Sequence, residues 1–263
     1  MSWNTRTRTP GCRAGRAALV ALTFVLLAGP VQAQTPAPAP PPPPPPRLEA
    51  SGQFAFLSTR GNADTQSLGA GGELISRPDP WTYRAKAVFA QTESEDELSA
   101  RSFAALFRGS RALNTRLSVY GQYDFLRDHF AGVEQRHVVE GGASYLAVDA
   151  PPHRLRFDAG LGYLYEEQPD DHFDSVTLSL GAAYRLAISA TSELTYEPRF
   201  LLPFSDSGAW RFDQNAALAV ALNSILSLKV SHTIRYSADP PEGFETTDTI
   251  MAVSLVAKVQ RPR

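Results

Sequence analysis

The chain has 263 residues, of which 43% are apolar, 10% aromatic and 20% charged. An apolar share this close to that of soluble domains excludes a bundle of membrane-spanning helices. Residues 1–33 carry four arginines and no acid, so the remainder holds 21 basic against 27 acidic residues, a charge of −6. Nucleic acid is therefore not expected as a partner, because phosphate neutralisation needs a clustered basic surface.

The N-terminus reads as an export signal over residues 1–33. Arg6, Arg8, Arg13 and Arg16 form a positive leader, and Ala17 to Ala28 is an apolar run of 12 residues. A bilayer-spanning helix needs about 20, so a secretory signal is favoured over a retained anchor. Gly29 and Pro30 break the run, and Val31-Gln32-Ala33 offers a small-residue cleavage site. Cys12, the one cysteine, lies ahead of the apolar run, where it can neither carry a lipid nor form a disulfide in an exported chain. Residues 34–47 follow as a proline-rich spacer. Its run Thr35 to Pro46 favours polyproline II and reaches roughly 34 Å at about 3.1 Å per residue. The spacer could bind a periplasmic partner, but a leader that exposes the cleavage site is the simpler expectation.

From Leu48 to Gln260 the apolar residues recur at every second position. Leu117, Val119, Gly121, Tyr123 and Phe125 face one way, while Ser118, Tyr120, Gln122 and Asp124 face the other. The same alternation runs through His153 to Glu166, Leu226 to Ser237 and Thr249 to Gln260, and strands of about 11–14 residues are expected. Two kinds of connection interleave. Short turns stand at Arg77 to Pro80, Leu113-Asn114, Asp149 to Pro152, Ser189 to Thr191 and Asn223-Ser224. Polar, mostly acidic loops stand at Gly61 to Asp64, Glu93 to Glu97, Asp128 to Glu134, Glu167 to His172, Ser205 to Ala209 and Asp239 to Thr247. Six loops alternating with five turns give twelve strands with both ends on the turn side.

The fold class is thus all-β: a single transmembrane up-and-down antiparallel barrel of about 12 strands over residues 48–260. Aromatic residues gather near strand ends, as at Trp81 and Tyr83 or Phe200 and Phe204, where a membrane girdle would sit. The alternative is a soluble periplasmic β-sandwich that binds a ligand. The strand length disfavours it, since sandwich strands are usually about five or six residues long.

The stretch Ser58 to Ser67 (STRGNADTQS) closely resembles the first hairpin signature of the domain of unknown function 481 family, the salt-induced outer-membrane proteins. Asp239 to Gly243 leading into Thr247-Asp248-Thr249, and Trp81 at the head of the third strand, are similar to that family as well. The resemblance covers roughly residues 50–258. It implies a barrel in the outer membrane of a Gram-negative bacterium, with no established biochemical activity and no catalytic residues to carry over, and an enzyme is not expected. It also implies membrane lipid, lipopolysaccharide and the barrel-assembly machinery as partners. The chain departs from the usual pattern of such barrels by ending Val259-Gln260-Arg261-Pro262-Arg263, without a terminal aromatic residue.

Charged residues on the polar faces are candidates to line the lumen: Arg84, Lys86, Arg154, Arg156, Asp158, Glu197, Arg199, Lys229 and Arg235. They could border a narrow solute path or form a plug of salt bridges, and the small interior expected of 12 strands favours the plug. No cofactor and no metal site is expected. The acidic loops match no calcium-loop spacing, and no CxxC, HExxH or phosphate-loop motif occurs. The enzymatic alternative is a hydrolase with Asp128-His129 and Asp170-Asp171-His172 meeting at the rim to activate water. His232 falls on an apolar face and reads as interfacial.

Overall fold

The computed structural model describes residues 46–59, 65–94, 97–169 and 171–261. The export signal, the spacer up to residue 45 and the loop at 60–64 lie outside the described residues. Twelve strands follow in chain order: β1 (Leu48–Thr59), β2 (Thr65–Ser76), β3 (Trp81–Ser94), β4 (Glu97–Ala112), β5 (Leu117–Asp128), β6 (Val133–Ala150), β7 (His153–Glu167), β8 (His172–Ala187), β9 (Ser192–Pro203), β10 (Arg211–Ala221), β11 (Leu226–Ser237) and β12 (Thr247–Arg261). Each pairs antiparallel with the next, and β1 pairs with β12 from Leu48↔Arg261 to Phe54↔Leu255. The barrel is therefore closed, with the β1–β12 seam paired along its turn-side half. This excludes the sandwich, which needs two facing sheets.

Local chemistry sets the tight turns. In the β4–β5 turn the Asn114 side-chain oxygen accepts hydrogen bonds from the backbone N–H groups of Arg116 (2.9 Å) and Leu117 (2.8 Å). In the β10–β11 turn Asn223 does the same for Ile225 and Leu226, both at 2.8 Å. Asparagine suits this place because its short amide can replace a missing backbone acceptor. The connection between β3 and β4 is smaller than its acidic run suggests. Strand pairing continues through Glu93 and Ser94 and resumes at Glu97, leaving only residues 95 and 96 between β3 and β4. Strands of 11 to 18 residues result. The longest exceed the roughly 9–11 needed to cross a bilayer, so the barrel projects beyond an apolar belt at the loop end.

The polarity is inverted relative to a protein that dissolves in water. Outward side chains such as Phe54, Val139, Leu161, Met251 and Val253 are more than half exposed. The buried described side chains are instead mostly polar or charged, 12 against 7 apolar. An outward aromatic row runs across β4 to β8 at the loop end: Phe103 tilts against Phe125, Phe125 against His137, His137 against Tyr165, and Tyr165 against His172. Phe200, Phe212, Trp210 and Tyr236 continue it across β9 to β11. His232 lies on this outward face, on the same side of β11 as Leu228 and Val230.

Candidate functional site in the barrel interior

Alternation sends one side chain in two into the lumen, and on nearly every strand that set carries charge. All twelve strands contribute to a central cavity of about 380 Å³. At the loop end, Glu166 of β7 is held between Arg136 of β6 and Arg211 of β10, the latter at 3.0 Å. The three side chains are between 2% and 11% exposed, so the triad is shut off from water. Gln168 donates a further bond to Glu166 at 3.0 Å, and the Arg211 guanidinium lies 4.9 Å from the centre of the Phe173 ring. Below this layer Phe173 packs on Val138, Leu164 and Leu201, a small apolar plug inside the barrel.

Arg199 of β9 uses every guanidinium nitrogen. It donates to Asp124 of β5 at 2.9 Å, to Glu140 of β6 at 2.7 Å and to Ser179 of β8 at 3.2 Å. Arg108 of β4 donates to Gln122 at 2.9 Å, Ser144 at 2.8 Å and Asp158 at 3.0 Å, while stacking 3.7 Å above the Tyr120 ring. Arg156 takes both oxygens of the same Asp158 at 3.1 Å. Glycine makes room for this layer. Tyr120 lies opposite Gly142 in register, its hydroxyl reaches the space over Gly160, and a Cβ on Gly160 would stand 2.7 Å from that oxygen. A planar fork such as guanidinium is suited to bridging several strands at fixed angles, which a lysine cannot do.

Two ion pairs cross the lumen fully. Arg84 of β3 reaches Glu197 of β9 at 3.2 Å and also pairs with Glu73 of β2. Arg235 of β11 reaches Asp128 of β5 at 2.9 Å and donates to Ser102 of β4 at 3.1 Å. In each case the bridged strands stand six places apart in a ring of twelve, the widest separation there is. Above the second pair, the loop between β11 and β12 reaches the same opposite wall. Gly132, at a φ of +70° that disfavours any side chain, leaves the space in which the Phe244 ring sits, 2.9 Å from where a Cβ would be.

Of the nine residues singled out from the sequence, Arg84, Lys86, Arg156, Asp158, Glu197, Arg199, Lys229 and Arg235 border the cavity. Arg154 does not border it. It stands at the turn-side rim, about half exposed, 3.6 Å from Asp149. Sequence reasoning missed Arg108, Asp128, Arg136, Glu140, Glu166 and Arg211 as partners, although the same alternation marks each as inward. The described members of the rim pairs imagined for hydrolysis do not converge. Asp128 is turned into the lumen and committed to Arg235, whereas His172 points outward against Tyr165 and Asp171 is exposed. The side chain of His129 and the whole of Asp170 lie outside the described residues. Among the described residues no group of three or more His, Cys, Asp or Glu side chains is placed to hold a metal.

Residues 52–259 match the family described as "Protein of unknown function, DUF481". An uncharacterized protein of Escherichia coli (strain K12), YdiY, is 27% identical over 237 residues, which is 88% of this chain and 87% of that protein. Among solved structures, the NanC porin is 10% identical with a TM-score of 0.44, covering 82% of this chain and 100% of its own. The translocator domain of the autotransporter NalP from Neisseria meningitidis is 10% identical with a TM-score of 0.43, covering 80% and 87%.

Proposed function

This chain belongs to the DUF481 family, and we propose that it is an outer-membrane barrel of a Gram-negative envelope whose lumen is a closed polar chamber. In this reading it is a structural component of the envelope that passes at most small ions, and it is not an enzyme. The inverted polarity supports the membrane setting. An outward belt of exposed Phe, Leu, Val and Met is costly in water and favourable against lipid, and a closed ladder satisfies nearly all of its backbone without solvent. The belt then meets membrane lipid, the polar loops meet lipopolysaccharide, and assembly falls to the barrel-assembly machinery. Export of the folded part follows from the leader over residues 1–33, and the proline-rich segment at 34–47 is left to hold it off or to bind a periplasmic partner.

The observation that carries closure is the pair of lumen-spanning bridges, Arg84–Glu197 and Arg235–Asp128. A wide aqueous pore would hold such side chains apart along its wall. Here they meet across the lumen, and the apolar plug fills further interior space. Two measurements test the reading. The outer-membrane fraction should contain a form that resists SDS until boiled, as closed barrels do. In planar bilayers the unaltered protein should conduct far less than an open porin, and Arg84→Gln combined with Arg235→Gln should raise conductance severalfold. Porin-sized conductance in the unaltered protein overturns closure, and a periplasmic, heat-insensitive protein overturns the membrane setting.

A further inference from the structure

The turn-side half of the cavity does not balance its charge. Five cations face it, Arg84, Lys86, Arg108, Arg156 and Lys229, against three carboxylates, Glu73, Asp158 and Glu197. Every one of those carboxylates is already engaged by arginine: Glu73 and Glu197 by Arg84, Asp158 by Arg108 and Arg156 together. The two lysines are left over. Lys86 lies directly opposite Glu73 in the β2–β3 register, yet Glu73 turns to Arg84. Among the described residues Lys86 makes no hydrogen bond or close ion pair. Among the described residues Lys229 donates only to the neutral side chain of Gln53, at 3.1 Å.

An ammonium carries three donors, and holding it away from bulk water without a counter-charge is unfavourable. The two lysines also feel each other: Lys229 lies within electrostatic reach of Lys86 and Arg84, with Glu73 and Glu197 as the opposing charges. The wall between them is pared down. Gly71 leaves room for the Gln53 amide, and Gly69 faces only Ala55. Small residues, Ser231, Ala252 and Ser254, border the cavity around Lys229. Unsatisfied donors, surplus positive charge and open space thus coincide at one place.

We propose that the space between Lys86 and Lys229 is a binding site for a small oxyanion, a phosphate or a carboxylate, held by the two ammonium groups. The proposal rests on the interior being a polar chamber, as argued above, and names what that chamber accepts. Lysine suits the role because a mobile point charge adapts to an anion that comes and goes, whereas the arginine forks nearby are locked to protein carboxylates.

The test uses the full exported chain, folded in detergent micelles and checked by its heat-dependent migration on SDS gels. Calorimetric titration with inorganic phosphate, and separately with acetate, should give saturable binding of at least one of them. Lys86→Gln or Lys229→Gln should weaken that binding at least tenfold, and the double variant should abolish it. Lys258→Gln, which removes the partner of Glu49 at the turn-side rim, should leave it unchanged. Phosphate binding without acetate binding would assign the site to phosphoryl groups, and the reverse to carboxylates; either supports an oxyanion site. Absence of binding by the folded parent, or undiminished binding by the folded double variant, overturns the proposal. Neither reading depends on the other's measurement: high conductance with intact binding defeats closure alone, and low conductance without binding defeats the anion site alone.

Discussion

Two arcs of one barrel wall fill their share of the lumen by different means. From β4 to β10 every strand contributes at least one buried inward residue, and the buried groups are held by arginine forks, by Tyr120 laid over glycine and by the Val138–Leu164–Leu201 plug. From β11 through β12 and round to β3, Ser254 is the one buried residue among those described. The difference lies in side-chain chemistry, since both arcs share the same ladder. In the first arc Arg108 and Arg199 each commit several guanidinium bonds, Arg136 and Arg211 hold Glu166 between them, and together they tie the strands of that arc to one another. In the second, Arg84 and Arg235 reach across to the far wall, and the glycine, alanine and serine between them fill little volume and leave Lys86 and Lys229 facing the cavity. A barrel can thus be rigid along one side and receptive along the other without any change of fold.

The sharpest way to break this comparison is to neutralise one carboxylate in each arc. Glu166→Gln leaves Arg136 and Arg211 with the more distant Asp213 as counter-charge in a site almost sealed from water, and should cost about 3–5 kcal/mol of unfolding free energy. Glu73→Gln, where the side chain keeps about a quarter of its exposure, should cost about 1 kcal/mol or less. Urea titration of the folded protein in detergent checks both, and equal losses would abolish the distinction. Next in size is a pair of glycine substitutions. Gly142→Ala drives a Cβ to 2.2 Å from the Ala159 carbonyl oxygen and should cost about 2 kcal/mol, because backbone must move. Gly71→Ala meets chiefly the mobile end of Gln53, at 2.8 Å, and should cost clearly less by the same measurement. The smallest effect sharpens the comparison by removing the rims from it. Asn114→Ala between β4 and β5, and Asn223→Ala between β10 and β11, each delete the same two turn hydrogen bonds. Their costs should agree, at about 1 kcal/mol each, and unequal costs would place part of the difference in the turns.

The barrel was legible in the sequence because alternation and turn chemistry are local. In β7 the order Phe157, Ala159, Leu161, Tyr163, Tyr165 marks the outward face without any knowledge of neighbours, and Asn114 and Asn223 mark turns by their own side chains. The run Glu93 to Glu97 misleads as a loop for a physical reason. Beyond the lipid belt a strand can be wet on both faces, so acidity no longer argues against pairing. The inward set was legible as a set, but its pairing was not. Arg84 and Glu197 are 113 positions apart, and Arg235 and Asp128 are 107 apart. Periodicity says which way a side chain points; which residue it meets across the axis depends on barrel closure and stagger. Arg154 shows the same limit in the axial direction: it has the right face but stands too near the rim to reach the chamber.

The seam between β1 and β12 has a consequence for chain order. Leu48 pairs with Arg261, so the first and last strands begin and end side by side on the turn-side rim. A chain permuted by a short linker across that seam, and reopened between Ser94 and Glu97, would keep every pairing of the ladder while exchanging which strand is made last. The twelve strands form a ring in which no member is first by geometry, and the present start is one of several cuts through a cyclic pattern.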